Sequence, residues 1–257
     1  MTDACFAHLY LVSGNNQGVL PEWRGGIHNG RVPPAWRPFT TPDLGAALIA
    51  AGLRFASFSE SLPFLHDDGE GNIDPGAELY RRKYNPMVNW QNTTRARVPE
   101  NKARFVLPVS ANLGFANSLD AVDGKRYRGF AVDETGAAIG YDQLPTVALV
   151  VPNEQHDAHS ANNAACDEWL RQHIRPYADW ARSHNSLLIV TYDEDGSTNA
   201  SHGDAYKTGI DRIATIFYGP PGLCVNASRR GGRRATAQSA RHRRPVRRRL
   251  ALPALAH

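Results

Sequence analysis

Two short segments hold residue types that metal chemistry uses. His156-Asp157-Ala158-His159 carries two imidazoles and a carboxylate within four positions, and Asp193-Glu194-Asp195 carries three consecutive carboxylates. Carboxylate oxygens and imidazole nitrogens together form a donor set for Zn²⁺, Mn²⁺ or Ca²⁺. Three adjacent carboxylates repel one another, and a divalent cation relieves that repulsion. Each segment also has a plainer reading. Asp193-Glu194-Asp195-Gly196 fits a solvated turn, and His156 and His159 fit surface-loop histidines. What favours the metal reading is where the two segments fall along the chain.

The apolar run Val147–Val151 predicts a buried strand, and the His156 segment follows its C-terminal end. Next comes a helical pattern from Ala164 to Ser183. Its apolar residues Trp169, Leu170, Ile174, Tyr177, Trp180 and Ala181 recur at three- and four-residue spacing, and Pro176 should kink or divide it. Leu187–Tyr192 predicts a second buried strand, which ends at Asp193, and Ile213–Tyr218 predicts a third. Strand, helix, strand with continuous apolar strands implies parallel pairing and a right-handed crossover. In such open sheets functional side chains gather past the C-terminal strand ends. Adjacent strands lie roughly 5 Å apart and second neighbours about twice that, so both loops can face one site.

The N-terminal half reads less regularly. Thr41-Pro42-Asp43-Leu44 predicts a helix start, with Thr41 as N-cap, running through Leu48 and Ile49 to a C-cap at Gly52. Leu53–Phe58 predicts a strand. Glu60 to about Asp142 is rich in Asp, Gly, Asn and Pro and reads as a loop-rich insertion. Gly14–Gly18 is not a phosphate-binding loop, because the Gly-Lys-Ser/Thr ending is missing. Three cysteines are too few and too scattered for a disulfide framework, and Cys166 reads as a buried helix residue.

The chain has 257 residues, 42% hydrophobic and 21% charged, with a formal net charge of +4. The apolar fraction is enough for a substantial core. No apolar run approaches the ~20 residues of a membrane helix. The positive charge suggests nucleic acid until it is divided by position. Ten arginines lie between Gly222 and His257, a stretch without Lys, Asp or Glu. Residues 1–221 then hold 19 basic and 25 acidic residues, a net of −6. A globally basic binding surface is disfavoured. The reading divides the chain into a domain over 1–221 and an Arg-rich disordered tail over 222–257.

From Leu144 to Gly219 the sequence resembles the bacterial phosphoesterase family of secreted acid phosphatases and phospholipase C-type enzymes, within the alkaline phosphatase superfamily. The segments that carry the resemblance are Pro145-Thr146-Val147, Val151-Pro152-Asn153, His156-Asp157-Ala158-His159, Tyr177-Ala178-Asp179-Trp180-Ala181, Asn185 to Asp195 and Ala214 to Pro220. Upstream, Tyr10 to Gly14, Asn16-Gln17-Gly18, Phe58 to Pro63 and Tyr84-Asn85-Pro86 are also similar. The resemblance implies an α/β fold, three α/β/α layers around a mostly parallel sheet, alkaline phosphatase-like. It implies a metal-dependent phosphoric ester hydrolase in which a Ser or Thr attacks phosphorus. By motif, Asp193 and Glu194 become the acidic metal pair and Asp157 a further ligand. His156 and His159 become phosphate contacts, and His202 steadies phosphate. The implied partner is a phosphate ester, on a small molecule or a lipid headgroup. Family members are commonly exported, and no export signal is readable in this chain.

Four departures accompany the resemblance. The family's upstream acidic-then-Asn metal motif is missing, and Thr2 is the one hydroxyl in the nucleophile's region. Tyr84 stands where the family often has His. The arginine tail replaces an acidic-plus-His segment. A tail of Arg, Ala, Pro, Gly and Ser is also what GC-rich coding sequence yields out of frame, so the expectation is an internal start at Met1 and a frame-shifted C-terminus. Three alternatives stand beside the phosphatase reading: a catalytically dead remnant of the fold, a phospholipase C-type diesterase, and a binder of anionic polymers through the tail.

Overall fold

The computed structural model describes residues 4–18, 38–63, 65, 79–91, 98, 100–158, 162–193, 213–221, 249–252 and 255–256. Its centre is a seven-stranded sheet in the order β2 (Asn112–Gly114), β1 (Phe55–Ser59), β5 (Val147–Val151), β8 (Arg249–Leu252), β6 (Ser186–Tyr192), β7 (Thr215–Tyr218), with β9 (Leu255–Ala256) also on β6. A small antiparallel hairpin of β3 (Ser118–Leu119) and β4 (Arg126–Tyr127) lies apart from it. The helices are α1 (Ala4–Ser13), α2 (Leu44–Ala50), α3 (Asn163–His173) and α4 (Arg175–Ala181).

Every residue of β1 and β5 is buried, as expected for parallel strands covered on both faces. Alternation sorts their side chains. Phe55, Val147, Leu149 and Val151 join Leu9, Val12, Ala46, Met87 and Trp90 in one core. Ala56, Phe58, Ala148 and Val150 join Trp169, Ile174, Tyr177 and Ala181 in a second. These two cores make the three α/β/α layers: α1, α2 and the 3₁₀ turns around residues 82–90 on one side, α3 and α4 on the other. The sheet is parallel across β2, β1 and β5, with Phe55 opposite Val147 and Ser59 opposite Val151. Among the described residues, no helix is long and apolar enough to cross a membrane.

Several elements depart from the sequence reading. The N-cap of α2 is Asp43, whose carboxylate accepts from Ala46 N at 2.9 Å. Thr41 is drawn off by other partners: its hydroxyl donates to Gln17 Oε1 at 2.5 Å and its carbonyl accepts from Trp90 Nε1 at 3.0 Å. The predicted long helix is divided at Ile174, which closes α3 and leads into α4. Pro176 sits in the first turn of α4, where its missing N–H costs nothing. Strand β7 is antiparallel to β6, with Leu188 opposite Tyr218. An apolar run carries no direction, so its pattern alone does not distinguish the two pairings. The Arg-rich segment is not wholly without structure. Its end, Arg249–Leu252, lies between β5 and β6 and is parallel to both. The backbone of this segment pairs with β5 on one side and β6 on the other. Residues 222–248 lie outside the described set.

Asp43 gives a pH prediction. Burial is the largest influence and raises its carboxyl from 3.8 to about 6, against hydrogen bonds from the α2 backbone. The folded chain therefore binds more protons than the unfolded chain between those values. That contribution is complete below the unfolded value and is lost as pH rises through the folded one. Asp43→Asn keeps a capping oxygen and removes the titration. Urea unfolding should show wild type losing about 2 kcal/mol relative to the variant between about pH 4 and pH 7. Parallel pH profiles for the two proteins would refute the assignment.

Candidate active site

Three strand ends and one turn carry the candidate residues. Glu60 directly follows β1, Asn153 to Asp157 follow β5, and Asp193 follows β6. Because β8 stands between β5 and β6, their ends are second neighbours, roughly 10 Å apart. The 3₁₀ turn Arg82–Tyr84 brings Tyr84 in from the side of α1, and the Tyr84 ring packs against His8 at 5.9 Å.

The loop after β5 is held from beneath by Glu60. Its carboxylate accepts from Trp169 Nε1 at 2.9 Å and from Asn153 N at 3.0 Å. It also meets His156 Nδ1 at 2.9 and 3.0 Å. A carboxylate oxygen accepts, so Nδ1 carries the proton in this hydrogen bond. The His156 ring stacks on Trp169, with centroids 5.7 Å apart and planes at 19°. Ala158, next to Asp157, and Ser61, next to Glu60, adopt left-handed backbone with φ of 68° and 57°. Non-glycine residues take that conformation at a cost of roughly 1–3 kcal/mol, and it concentrates where surrounding contacts impose a functional shape.

Asp157 is 0% exposed and Asp193 is 6% exposed. The Tyr84 hydroxyl is buried, and that burial pushes its pKa far above the phenol range. The charges of Asp157, Glu154 and Asp193 push in the same direction, and Arg81 opposes them. The hydroxyl thus stays protonated and able to donate. The charges of both buried carboxylates, one past β5 and one past β6, reach this one hydroxyl. Arg81 is tied across the site, with Nε and Nη2 donating to the Glu154 carboxylate.

Behind Tyr84 lies a chain of buried amides. Asn85 Nδ2 donates to Asn112 Oδ1 at 2.7 Å, and Asn112 Nδ2 donates to Gln91 Oε1 at 2.9 Å. Ser57 Oγ also donates to Asn112 Oδ1, at 3.1 Å. The chain pins the Tyr84-Asn85-Pro86 segment to β1 and β2 without any charge.

Of the residues named from sequence, His156, Asp157 and Asp193 are described, and the charges of both aspartates reach the Tyr84 hydroxyl. Thr2, His159, Glu194 and His202 lie outside the described residues. Among the described residues no group of three or more His, Cys, Asp or Glu has the spacing of a metal site. Cys166 is buried, as expected, and desolvation raises its thiol pKa. Sequence reasoning missed the roles of Glu60, Arg81, Glu154 and the Asn85–Asn112–Gln91 chain. Glu60 alone carried a usable signal, being a carboxylate just past a predicted strand.

A family model described as the Phosphoesterase family matches residues 2–221. A curated relative, phosphatidylinositol-3-phosphatase of Mycobacterium tuberculosis, is 32% identical over 178 residues, which is 69% of this chain and 44% of the relative. The chain thus spans less than half the length of that relative. No solved structure matches.

Proposed function

The chain belongs to the phosphoesterase family, and on that premise we propose that it is a metal-dependent phosphatase acting on phosphoric monoesters. The observation that carries the proposal is the pair of buried carboxylates, Asp157 and Asp193, acting on one hydroxyl from the ends of two strands. Buried hard-oxygen donors of this kind suit a divalent cation. Asp157, Asp193 and the adjoining Glu194 would hold it, with Zn²⁺, Mn²⁺ or Ca²⁺ as candidates. Such a cation neutralises phosphoryl oxygens and lowers the pKa of an attacking hydroxyl.

The chain's own residues supply the rest of the chemistry. The protonated Tyr84 hydroxyl donates to a phosphoryl oxygen. His156 would contact the phosphate, as would His159 and His202 by their motif, and Glu60 holds the His156 ring and, through Asn153, the loop bearing Asp157. The Thr2 hydroxyl attacks phosphorus, its oxygen–phosphorus bond forming as the ester bond breaks and the alcohol leaves with a proton. Water then releases phosphate from Thr2. The substrate class is a phosphate ester on a small molecule or lipid headgroup, the latter supported by the name of the mycobacterial relative.

The test is turnover of p-nitrophenyl phosphate and of a phosphatidylinositol 3-phosphate vesicle. Chelation should abolish it, and one of the three cations should restore it. Folded protein with no turnover under any of them would leave the dead-remnant reading in its place.

A further inference from the structure

Arg81 has one hydrogen-bonding edge that no described residue uses. Its Nε and Nη2 donate to the two oxygens of Glu154, the latter at 2.6 Å. The Glu154 backbone N–H donates to Leu79 O at 3.0 Å, so the ion pair is tied to the chain on both sides. The remaining nitrogen, Nη1, is buried and has no hydrogen-bond partner among the described residues. Buried donors are almost always partnered, and leaving one unmade is costly. The guanidinium also stands close enough to Tyr84 and Asp157 for their charges to act on it.

The electrostatics make the choice of ligand specific. A phosphate dianion approaching the Tyr84 hydroxyl meets Asp157, Glu154 and Asp193, and Arg81 is the cation among the charged groups that act there. Guanidinium N–H groups match phosphate oxygens in geometry and charge. Building on the phosphoric-ester reading above, we infer that Arg81 binds a non-bridging phosphate oxygen of the substrate through Nη1, while Glu154 fixes the guanidinium plane. Arg81 is thus a substrate-binding residue, and Glu154 is its positioning residue.

Inorganic phosphate is the probe, read in two ways: as an inhibitor of p-nitrophenyl phosphate turnover, and as a ligand that raises the thermal midpoint. Arg81→Gln should raise KM and the phosphate inhibition constant at least tenfold, with a smaller change in kcat, and should erase the phosphate-induced thermal shift. Arg81→Lys keeps the charge but loses the fork, and should fall between. A purely structural role would instead lower kcat and the unliganded midpoint and leave phosphate affinity intact.

The arms separate this inference from the phosphatase reading. Wild type that is stabilised by phosphate but turns over no ester, with the shift lost in Arg81→Gln, supports Arg81 and counts against the enzyme. Active wild type with phosphate affinity unchanged within twofold in Arg81→Gln overturns Arg81 and leaves the enzyme. Wild type that neither turns over nor responds to phosphate overturns both. If Arg81→Gln fails to fold, Arg81→Lys decides, with unchanged phosphate affinity again refuting the role.

Discussion

Asp193→Asn should lower kcat for phosphate monoesters by at least about 100-fold, the scale on which losses around metal sites fall, while the chain stays folded. Asp193 is buried at the end of β6, and its charge acts on the Tyr84 hydroxyl together with that of Asp157. The amide keeps the shape and one acceptor oxygen but removes the charge that would hold a cation. Two readouts separate this from a folding defect. Without metal, the thermal midpoint of the variant should equal or exceed that of wild type, because a buried charge has been removed. With metal, the stabilisation seen in wild type should be lost, since a ligand stabilises only the state that binds it. Robust turnover by a folded Asp193→Asn protein would show that the chemistry lies elsewhere.

The second large effect is on stability. Glu60→Leu should destabilise the fold by about 3 kcal/mol, because three donors lose one acceptor and each unmade bond costs roughly 1–3 kcal/mol. Those donors are Trp169 Nε1, Asn153 N and His156 Nδ1. Glu60 is partly exposed, at 18% of its side chain, so water recovers some of the loss and the full sum is not expected. Glu60→Gln keeps one acceptor oxygen and should fall between Glu60→Leu and wild type. Urea unfolding gives the measurement, with the midpoint falling and the slope unchanged. The Leu variant should also lose activity, since the loop carrying Asp157 loses its anchor. A midpoint within error of wild type would mean that Glu60 does not hold that loop.

How far the site was legible depended on the kind of signal each residue carries. Val147–Val151 forms β5 with the bounds predicted, because a run of buried branched residues flanked by prolines has few other outcomes. The positions of Asp157 and Asp193 past strand ends were readable because they need only the strands to be right. The Glu60 clamp was not readable, since its partners lie 93, 96 and 109 positions away. Arg81 and Glu154 are 73 positions apart, and Arg81 lies in a stretch without periodicity. The Asn85–Asn112–Gln91 chain consists of residues that sequence alone assigns to loops.

Local physics in the sequence thus determined the strands that form the core, the division of the helix beside Pro176, the two acidic strand ends and the acidic balance of residues 1–221. Each follows from near-neighbour effects: side-chain periodicity, the fixed φ and missing N–H of proline, and charge counted along the chain. The tertiary structure alone decided that Arg249–Leu252 enters the sheet between β5 and β6, that β7 runs antiparallel, that Glu60 anchors the loop after β5, and that Arg81 and Tyr84 come within electrostatic reach of the carboxylates. Strand partners, strand direction and charge contacts are set by which surfaces meet after the chain closes over long separations, and local patterns carry almost none of that information.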